Sequence, residues 1–312
     1  MKAIFRLVGI AFGFFVLILI LTGTFTFIRY NWFGASAPSA SDHVRVMDMS
    51  GVIMSASSFT RDLDEHLQNK RLKALVIRVN SPGGLVAPSQ EIFQALEKAD
   101  KKVPVIISMG SVAASGGYYL ALGGRKIYAN AGTLTGSIGV IMEFVNTQKL
   151  YQWAKLERFA ITSGKFKDAG SPTKPMSAED KELFQGMVKD IYAQFRGAVK
   201  EKRKLSEEAL NQYTDGRVLT GQQALNAKLV DALGTFEDAL ADAKKIAKLP
   251  EDAPVVYPSR DQGFLRRALM GEEPEDEASS SWKQIAEKAT EALPSSALPG
   301  PAWRVLWLAP VQ

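Results

Sequence analysis

Two stretches decide the fold: residues 74–84 read ALVIRVNSPGG, and residues 103–124 read VPVIISMGSVAASGGYYLALGG. Each begins with a continuous apolar run typical of a strand buried in a parallel sheet. A glycine-rich turn follows each run, and a helical pattern over 88–100 lies between them. A strand, a crossover helix and a second strand form a right-handed βαβ unit. The two turns are therefore predicted to lie side by side at one edge of a sheet.

The alternation of strands and helices continues along the chain. Short strands are predicted at 44–54, 126–130 and 157–163, and a long amphipathic helix is predicted over 177–202. Residues 215–248 have the pattern of a helix, a short strand and a helix. Alternating strands and helices indicate an α/β fold, which we assign as one domain over residues 43–258.

The N-terminal segment is predicted to anchor the chain in a membrane. Residues 7–28 form a run of 22 residues without a charge, and Lys2 and Arg6 precede it. A bilayer core is spanned by about 20 helical residues, and flanking basic residues stay in the cytoplasm. We therefore assign residues 1–30 to a cytoplasmic tip and a transmembrane helix. A cleaved signal is the alternative, because small residues at 35–37 resemble a cleavage site.

Two further segments have the composition of linkers or tails. Residues 31–42 are rich in small and polar residues and are assigned as a linker. Residues 259–312 are acidic and rich in Ser and Pro, and they end in the apolar stretch PAWRVLWLAPVQ. We assign them as a loosely structured tail, whose apolar end could pack on a neighbour, occupy a substrate groove or be trimmed.

The composition excludes several kinds of chemistry. The chain has no cysteine and only two histidines, His43 and His66. Disulfides, thiolate metal sites and cysteine nucleophiles are excluded, and no metal or other cofactor is expected. No basic cluster carries interleaved aromatic residues, so nucleic acid is not an expected partner. Covalent catalysis, if present, is predicted to use a base other than histidine.

Ser115 is the candidate nucleophile, because it lies where a buried strand meets a helix. At such a junction free backbone N–H groups and the helix dipole stabilise an oxyanion. Gly83, in the neighbouring turn, could supply a second N–H group. The alternative is that both turns serve only tight packing.

Lysine is the candidate base. A lysine takes a serine proton when burial lowers its pKa toward neutrality. Lys165 and Lys167 both lie in the stretch SGKFKDAGSP at 163–172, with Phe166 between them. The spacing does not choose between them, and a solvated loop is the alternative.

Five ordered motifs point to one family: RVNSPGG, GSVAASGGYYLA, AGTLTGSIGV, SGKFKD, and DGRVLTGQQA with LVDALG. Together they resemble the signal peptide peptidase A family (protease IV) in its short bacterial form, over roughly residues 43–250. The resemblance implies a Clp protease/crotonase-type spiral fold that commonly assembles into rings. It also implies catalysis by a Ser/Lys dyad.

The resemblance assigns a role to each candidate residue. It implies that Ser115 is the nucleophile, that Lys167 rather than Lys165 is the general base, and that Ser137 positions the lysine. The implied oxyanion donors are backbone N–H groups in the two glycine-rich turns, those of Gly83 and Gly116, with Gly84 as an alternative to Gly83.

The function implied is that of a membrane-anchored serine endopeptidase acting on apolar peptides. The family's substrates are signal peptides left in the membrane after preprotein cleavage. The implied location is the bacterial inner membrane, with the N-terminus in the cytoplasm and the catalytic domain in the periplasm, in a homo-oligomeric ring. Two alternatives remain: a non-catalytic membrane-anchored scaffold of the same fold, and a crotonase-like enzyme acting on acyl thioesters.

Overall fold

The computed structural model describes residues 18, 22–23, 41–258 and 305–308. The chain divides into two compact units, Met1–Ser39 with Pro258–Ser295 and Ala40–Tyr257 with Ser296–Gln312, and the second holds all the elements below. The predicted anchor over 7–28 lies almost entirely outside the described residues, as does most of the predicted tail. Among the residues described, no helix combines the length and apolarity needed to cross a membrane.

Strands and helices alternate through the second unit. Its strands are β1 (His43–Ser50), β2 (Leu72–Ser81), β3 (Gly83–Leu85), β4 (Val105–Ala114), β5 (Lys126–Ala129), β6 (Leu134–Gly136), β7 (Ile141–Met142), β8 (Val218–Thr220), β9 (Ala232–Leu233), β10 (Val255–Val256) and β11 (Val305–Leu308). Its helices are α1 (Ser57–Leu67), α2 (Val86–Asp100), α3 (Gly116–Ala121), α4 (Gln148–Trp153), α5 (Ala178–Arg203), α6 (Glu207–Tyr213), α7 (Gly221–Asn226) and α8 (Phe236–Ile246).

The strands form two sheets. The larger has the order β10-β1-β2-β4-β5-β9, with every neighbouring pair parallel, and β6 joins it by pairing with β4 in parallel and with β8 antiparallel. The smaller has the order β3-β11-β7 and is antiparallel. The predicted α/β class is confirmed.

The continuous apolar runs of β2 and β4 are explained by helices on both faces of the large sheet. Ile77 and Ile107 pack in the same cluster as Ile92 of α2. Val76 and Ile106 belong to the opposite cluster, which contains Ala243 of α8. Because successive side chains of a strand point to opposite faces, both halves of each run are buried.

Strand β4 extends further than predicted. The sequence pattern predicts its end near Met109, but the strand continues to Ala114. The register against β2 shifts after Val79, and the Asn80 side chain accepts a hydrogen bond from the Val112 N–H at 3.2 Å. Past the shift, β4 pairs with β6, so that Ala114 lies opposite Gly136. The extension carries the chain directly into Ser115.

The strand predicted over 157–163 is wrong. No strand forms at these positions, and Phe159 and Ile161 are 84% and 94% exposed. In the described part of the chain these residues pair with no strand, and their apolar side chains stay exposed. The long helix that follows is confirmed as α5, and it begins with a capping box between Ser177 and Asp180.

Candidate functional site

Ser115 lies between β4 and α3 in an unusual backbone conformation. Its φ is 54° and its ψ is −119°, a combination that costs free energy in any residue with a β-carbon. Its N–H donates to the Gly136 carbonyl at 2.8 Å, and its carbonyl accepts from the Tyr119 N–H at 2.8 Å. These bonds hold the strained turn in place.

The Ser115 hydroxyl is buried and unpaired. The residue is 1% exposed, and its Oγ has no hydrogen-bond partner among the described residues. Although Ser115 occupies the N-cap position of α3, its side chain does not cap the helix. Burial removes the water that would bond to this hydroxyl, and no protein group replaces that water, so the arrangement costs free energy. An unsatisfied polar group of this kind is typical of a catalytic site.

The two glycine-rich turns meet as the sequence predicts. A β-carbon on Gly116 would lie 2.5 Å from Ser89 Oγ, 3.2 Å from the Gly84 nitrogen and 3.4 Å from the Gly83 α-carbon. The structure therefore brings Gly83, Gly84 and Gly116 together beside Ser115. At the next residue, a β-carbon on Gly117 would lie 2.7 Å from the Ser81 backbone oxygen, so only glycine allows the two turns to approach this closely.

The N–H groups of Gly83 and Gly84, in the first turn, point in different directions. The Gly83 N–H donates to Ser81 Oγ at 3.1 Å. The Gly83 carbonyl accepts from the Ile53 N–H at 2.9 Å, and the Leu85 N–H donates to the Ile53 carbonyl at 2.7 Å. Since backbone groups alternate in direction along a strand, the Gly84 N–H faces the other side, toward β11.

Ser81 and Ile53 were missed by the sequence reasoning, although both shape this turn. The signal for Ser81 was present, because a serine two residues before a glycine commonly accepts a backbone hydrogen bond in a turn. Ile53 offered no local signal, since its pairing with β3 joins residues about thirty positions apart.

Ser137 lies next to Ser115, on the neighbouring strand's end. It directly follows Gly136, which pairs with Ala114. Ser137 is 4% exposed, has a φ of 50°, and donates its N–H to the Arg217 carbonyl at 2.8 Å. The parallel pairing of β4 and β6 thus places the two serines at adjacent strand ends.

Lys167 is not brought to Ser115 within one chain. Its backbone N–H donates to the Gly164 carbonyl at 3.1 Å, but within the described segments its exposed side chain makes no hydrogen bond or ion pair. Because Ser115 Oγ is unpaired, Lys167 Nζ is not within hydrogen-bond distance of it. Phe166, the residue before it, is itself 44% exposed.

Lys165 and Lys167 differ in their partners. Lys165 Nζ lies 2.6 Å from Glu179 Oε1 and 5.4 Å from the centre of the Phe166 ring. The Lys165 side chain is thus engaged with a carboxylate, whereas the Lys167 side chain has no such partner in the described part of the chain.

Comparison with known families gives two matches. The model for peptidase family S49 matches residues 97–250, and the model for Clp protease matches residues 53–134. The second match agrees with the α/β fold and covers the two glycine-rich turns.

Individual relatives agree with these families. A Synechocystis sp. protein, provisionally named a protease, is 40% identical over 205 residues, or 66% of this chain and 74% of its own length. An Enterococcus faecium protein, provisionally named signal peptide peptidase SppA, is 35% identical over 208 residues. That alignment covers 66% of this chain and 60% of the relative, which is less than two thirds of its length.

One solved structure is a mutant of 1510-N, a membrane-bound stomatin-specific protease. It covers 71% of this chain and 100% of its own, with 18% identity and a TM-score of 0.45. These values are too low to carry an argument about this chain.

The strain at Ser115 predicts an unusual effect on stability. We expect the Ser115→Gly variant to be more stable than Ser115→Ala by about 1 kcal/mol, because glycine adopts a positive φ at little cost. Chemical denaturation of the two variants measures the difference. Ser111 in β4 has no positive φ and is the matched control. At position 111 the glycine variant should be less stable than the alanine variant. If the glycine variant is also the less stable of the two at position 115, the prediction is contradicted.

Proposed function

Because the chain belongs to peptidase family S49, the signal peptide peptidase A family, and is therefore a serine peptidase, we propose that Ser115 and Lys167 form its catalytic dyad. We further propose that it is a membrane-anchored endopeptidase for apolar peptides, namely signal peptides left in the membrane after preprotein cleavage. The observation that carries the proposal is the buried, strained and unpaired Ser115 hydroxyl beside the amides of two glycine-rich turns.

The proposed chemistry has two stages. Ser115 Oγ attacks the peptide carbonyl while Lys167 accepts the hydroxyl proton and then donates it to the leaving amine. Water activated by Lys167 then hydrolyses the acyl-enzyme. Ser137 is proposed to orient the lysine, since it lies at the strand end beside Ser115.

The oxyanion is proposed to accept hydrogen bonds from one amide of each turn. Gly116 supplies the first, because it directly follows the nucleophile at the start of α3. For the second, the hydrogen bond from the Gly83 N–H to Ser81 favours Gly84, whose N–H faces away from Ile53. Gly83 would serve if Ser81 released its amide when substrate binds. Donors aimed at the developing negative charge lower the barrier to acyl transfer.

A homo-oligomeric ring is proposed in which a neighbouring chain completes each site. Lys167 is exposed and the Ser115 hydroxyl is unpaired, so the described chain does not by itself bring the two groups together. The segment that carries Lys167 also exposes large apolar side chains, with Trp153 at 82%, Phe159 at 84% and Ile161 at 94%. Apolar surface of this kind is typical of a protein interface.

The anchor is proposed to hold the enzyme close to substrates that lie in the membrane. Residues 7–28 would hold the catalytic domain at the periplasmic face of the bacterial inner membrane, with the N-terminus in the cytoplasm. Tethering enzyme and substrate to one surface raises the effective concentration of each for the other.

The dyad is tested by three alanine variants of the full chain. We expect Ser115→Ala and Lys167→Ala each to lose hydrolysis of an apolar peptide library by at least about 100-fold, since each removes a reacting group. Lys165→Ala, the matched control, should retain activity because that lysine is ion-paired with Glu179. Fluorophosphonate labelling of wild type that persists in Ser115→Ala would refute the nucleophile. Absence of labelling and hydrolysis in wild type would favour a non-catalytic scaffold.

Completion by a neighbour predicts complementation between inactive variants. Ser115→Ala and Lys167→Ala chains, mixed and reassembled, should regain part of the wild-type rate, because some sites then pair an intact serine with an intact lysine. Each variant alone, treated in the same way, is the control. A mixture that stays inactive while forming mixed oligomers would mean that the dyad forms within one chain.

The proposed topology predicts exposure of the catalytic domain outside the cytoplasm. In spheroplasts of a Gram-negative host, external protease should digest residues 43–258 of the full chain. A cytoplasmic marker protein serves as the control for membrane integrity. Protection of the domain in intact spheroplasts, with digestion only after lysis, would overturn the proposed location.

A further inference from the structure

The short connectors that lead into the large sheet repeat a positive charge. Strands β1, β2, β4, β5, β9 and β10 are parallel, so the connectors that precede them lie along one edge, the amino-terminal edge of the sheet. Every connector before β2, β4, β5, β9 and β10 contains a lysine or an arginine. We call this surface the basic edge, and its cations are Lys70, Arg71, Lys101, Lys102, Arg125, Lys228 and Lys248.

Backbone hydrogen bonds join neighbouring connectors of the basic edge. The His43 N–H, at the start of β1, donates to the Arg71 carbonyl at 3.0 Å. The Arg125 N–H, just before β5, donates to the carbonyl of Val105, the first residue of β4, at 2.8 Å. The connectors are therefore fixed side by side, and their cations share one surface.

The opposite edge of the same strands, which holds Ser115, has a different character. The chain that follows β1, β2, β4 and β5 contains no charged residue over 51–60, 82–90, 115–124 and 130–142. Charge is thus sorted between the two edges of the sheet. The two edges are suited to different partners.

Acidic residues neutralise only part of the basic edge. Asp42 pairs with Arg71 at 3.3 Å, and Asp100 pairs with Arg125 at 3.0 Å. The remaining cations are exposed and form no ion pair in the described part of the chain: Lys70, Lys101, Lys102, Lys228 and Lys248. The surface therefore keeps a surplus of ammonium groups for an anionic partner.

The connectors favour phospholipid headgroups over nucleic acid as that partner. The connectors over 68–71, 101–104, 122–125, 227–231 and 247–254 contain no aromatic residue. Proteins that bind single-stranded nucleic acid stack its bases on aromatic side chains, whereas an anionic bilayer attracts clustered lysines through charge alone.

The predicted anchor leads into the same edge. The predicted linker over 31–42 ends at Asp42, which is tied to Arg71, and β1 begins at His43. A chain of this length spans at most about 40 Å when fully extended. The basic edge is therefore within reach of the bilayer that would hold residues 7–28.

We propose that the basic edge binds an anionic phospholipid surface and so orients the domain on the membrane. The inference rests on the membrane anchor of the proposed function. Each basic residue held close to an anionic surface adds to the attraction, and salt screens it.

This orientation places Ser115 on the side of the sheet that faces away from the bilayer. Strand β2, which runs from the basic edge to the first glycine-rich turn, has 10 residues. A strand of that length spans about 30 Å. A membrane-derived peptide would therefore have to extend out of the bilayer by about this distance to reach the nucleophile.

Fluorescent labels at the two edges test the orientation. The chain has no cysteine, so Gln68→Cys labels the basic edge alone and Ser50→Cys labels the opposite edge alone, both at exposed positions. The full chain is reconstituted in vesicles whose headgroups carry a nitroxide quencher. Quenching at position 68 should be at least about twofold stronger when phosphatidylglycerol is added to phosphatidylcholine, and high salt should abolish the difference. Quenching at position 50 should not depend on lipid charge, and a stronger response there than at position 68 would overturn the proposal.

Charge variants carrying the label at position 68 test whether the exposed lysines cause the response. The edge variant combines three substitutions: Lys70→Gln, Lys101→Gln and Lys102→Gln. The matched control makes the same change at three exposed lysines elsewhere: Lys149→Gln, Lys181→Gln and Lys189→Gln. The edge variant should lose most of the response to phosphatidylglycerol and the control should keep it, while both unfold at the wild-type temperature. An equal loss in the two variants would mean that net charge alone is responsible and would overturn the proposal.

Flotation with neutral vesicles separates the possible failures. A full chain that does not float with phosphatidylcholine vesicles would refute the anchor, and the orientation would fall with it. A chain that floats, with a label at position 68 that does not respond to phosphatidylglycerol, would refute only lipid binding by the basic edge. A label that responds to added DNA but not to phosphatidylglycerol would assign this edge to nucleic acid and likewise overturn the proposal.

Discussion

The close approach of two glycine-rich turns is the contact on which the candidate site depends. Strands β2 and β4 run parallel and end at one edge of the large sheet, so the turns that follow them meet. A β-carbon on Gly116 would lie 3.2 Å from the Gly84 nitrogen, and one on Gly117 would lie 2.7 Å from the Ser81 backbone oxygen. A larger residue there would push apart the amides and the serine that they flank. The packing of the sheet thus sets the geometry of the chemistry.

The same packing maintains a serine in a conformation that an isolated chain would avoid. The Ser115 N–H donates to the Gly136 carbonyl and the Ser115 carbonyl accepts from the Tyr119 N–H, so the turn is fixed on both sides. The buried, unpaired hydroxyl adds a second cost, because it has given up water without gaining a partner. Burial of the central residues of β2 and β4 in the core stabilises the fold and offsets both costs. Strain of this kind persists only where the surrounding structure holds it.

The candidate site has two parts: one is built from regular secondary structure, and the other lies on an exposed segment. Ser115, Ser137 and the glycines belong to strand ends and to the first turn of α3, whereas Lys167 lies on a segment with little regular structure and much exposed apolar surface. A base on such a segment can be placed by a partner chain. Assembly is therefore a natural point of control in the proposed enzyme.

The sequence by itself determined the α/β class, the meeting of the two turns and the candidate serine. These rest on local signals: apolar runs in β2 and β4, glycines after them, and the handedness of a βαβ unit. Local signals failed where pairing decides the outcome. Residues 157–163 have a strand's composition but pair with no strand in the described structure, and β4 runs on to Ala114 because Asn80 and β6 bond to it. Only the tertiary structure decided that Ser81 engages the Gly83 amide, that the Gly84 N–H faces away from Ile53, and that β11 pairs with β3. Each of these is a hydrogen bond or register between distant segments, and a linear pattern of residue types does not specify such partners.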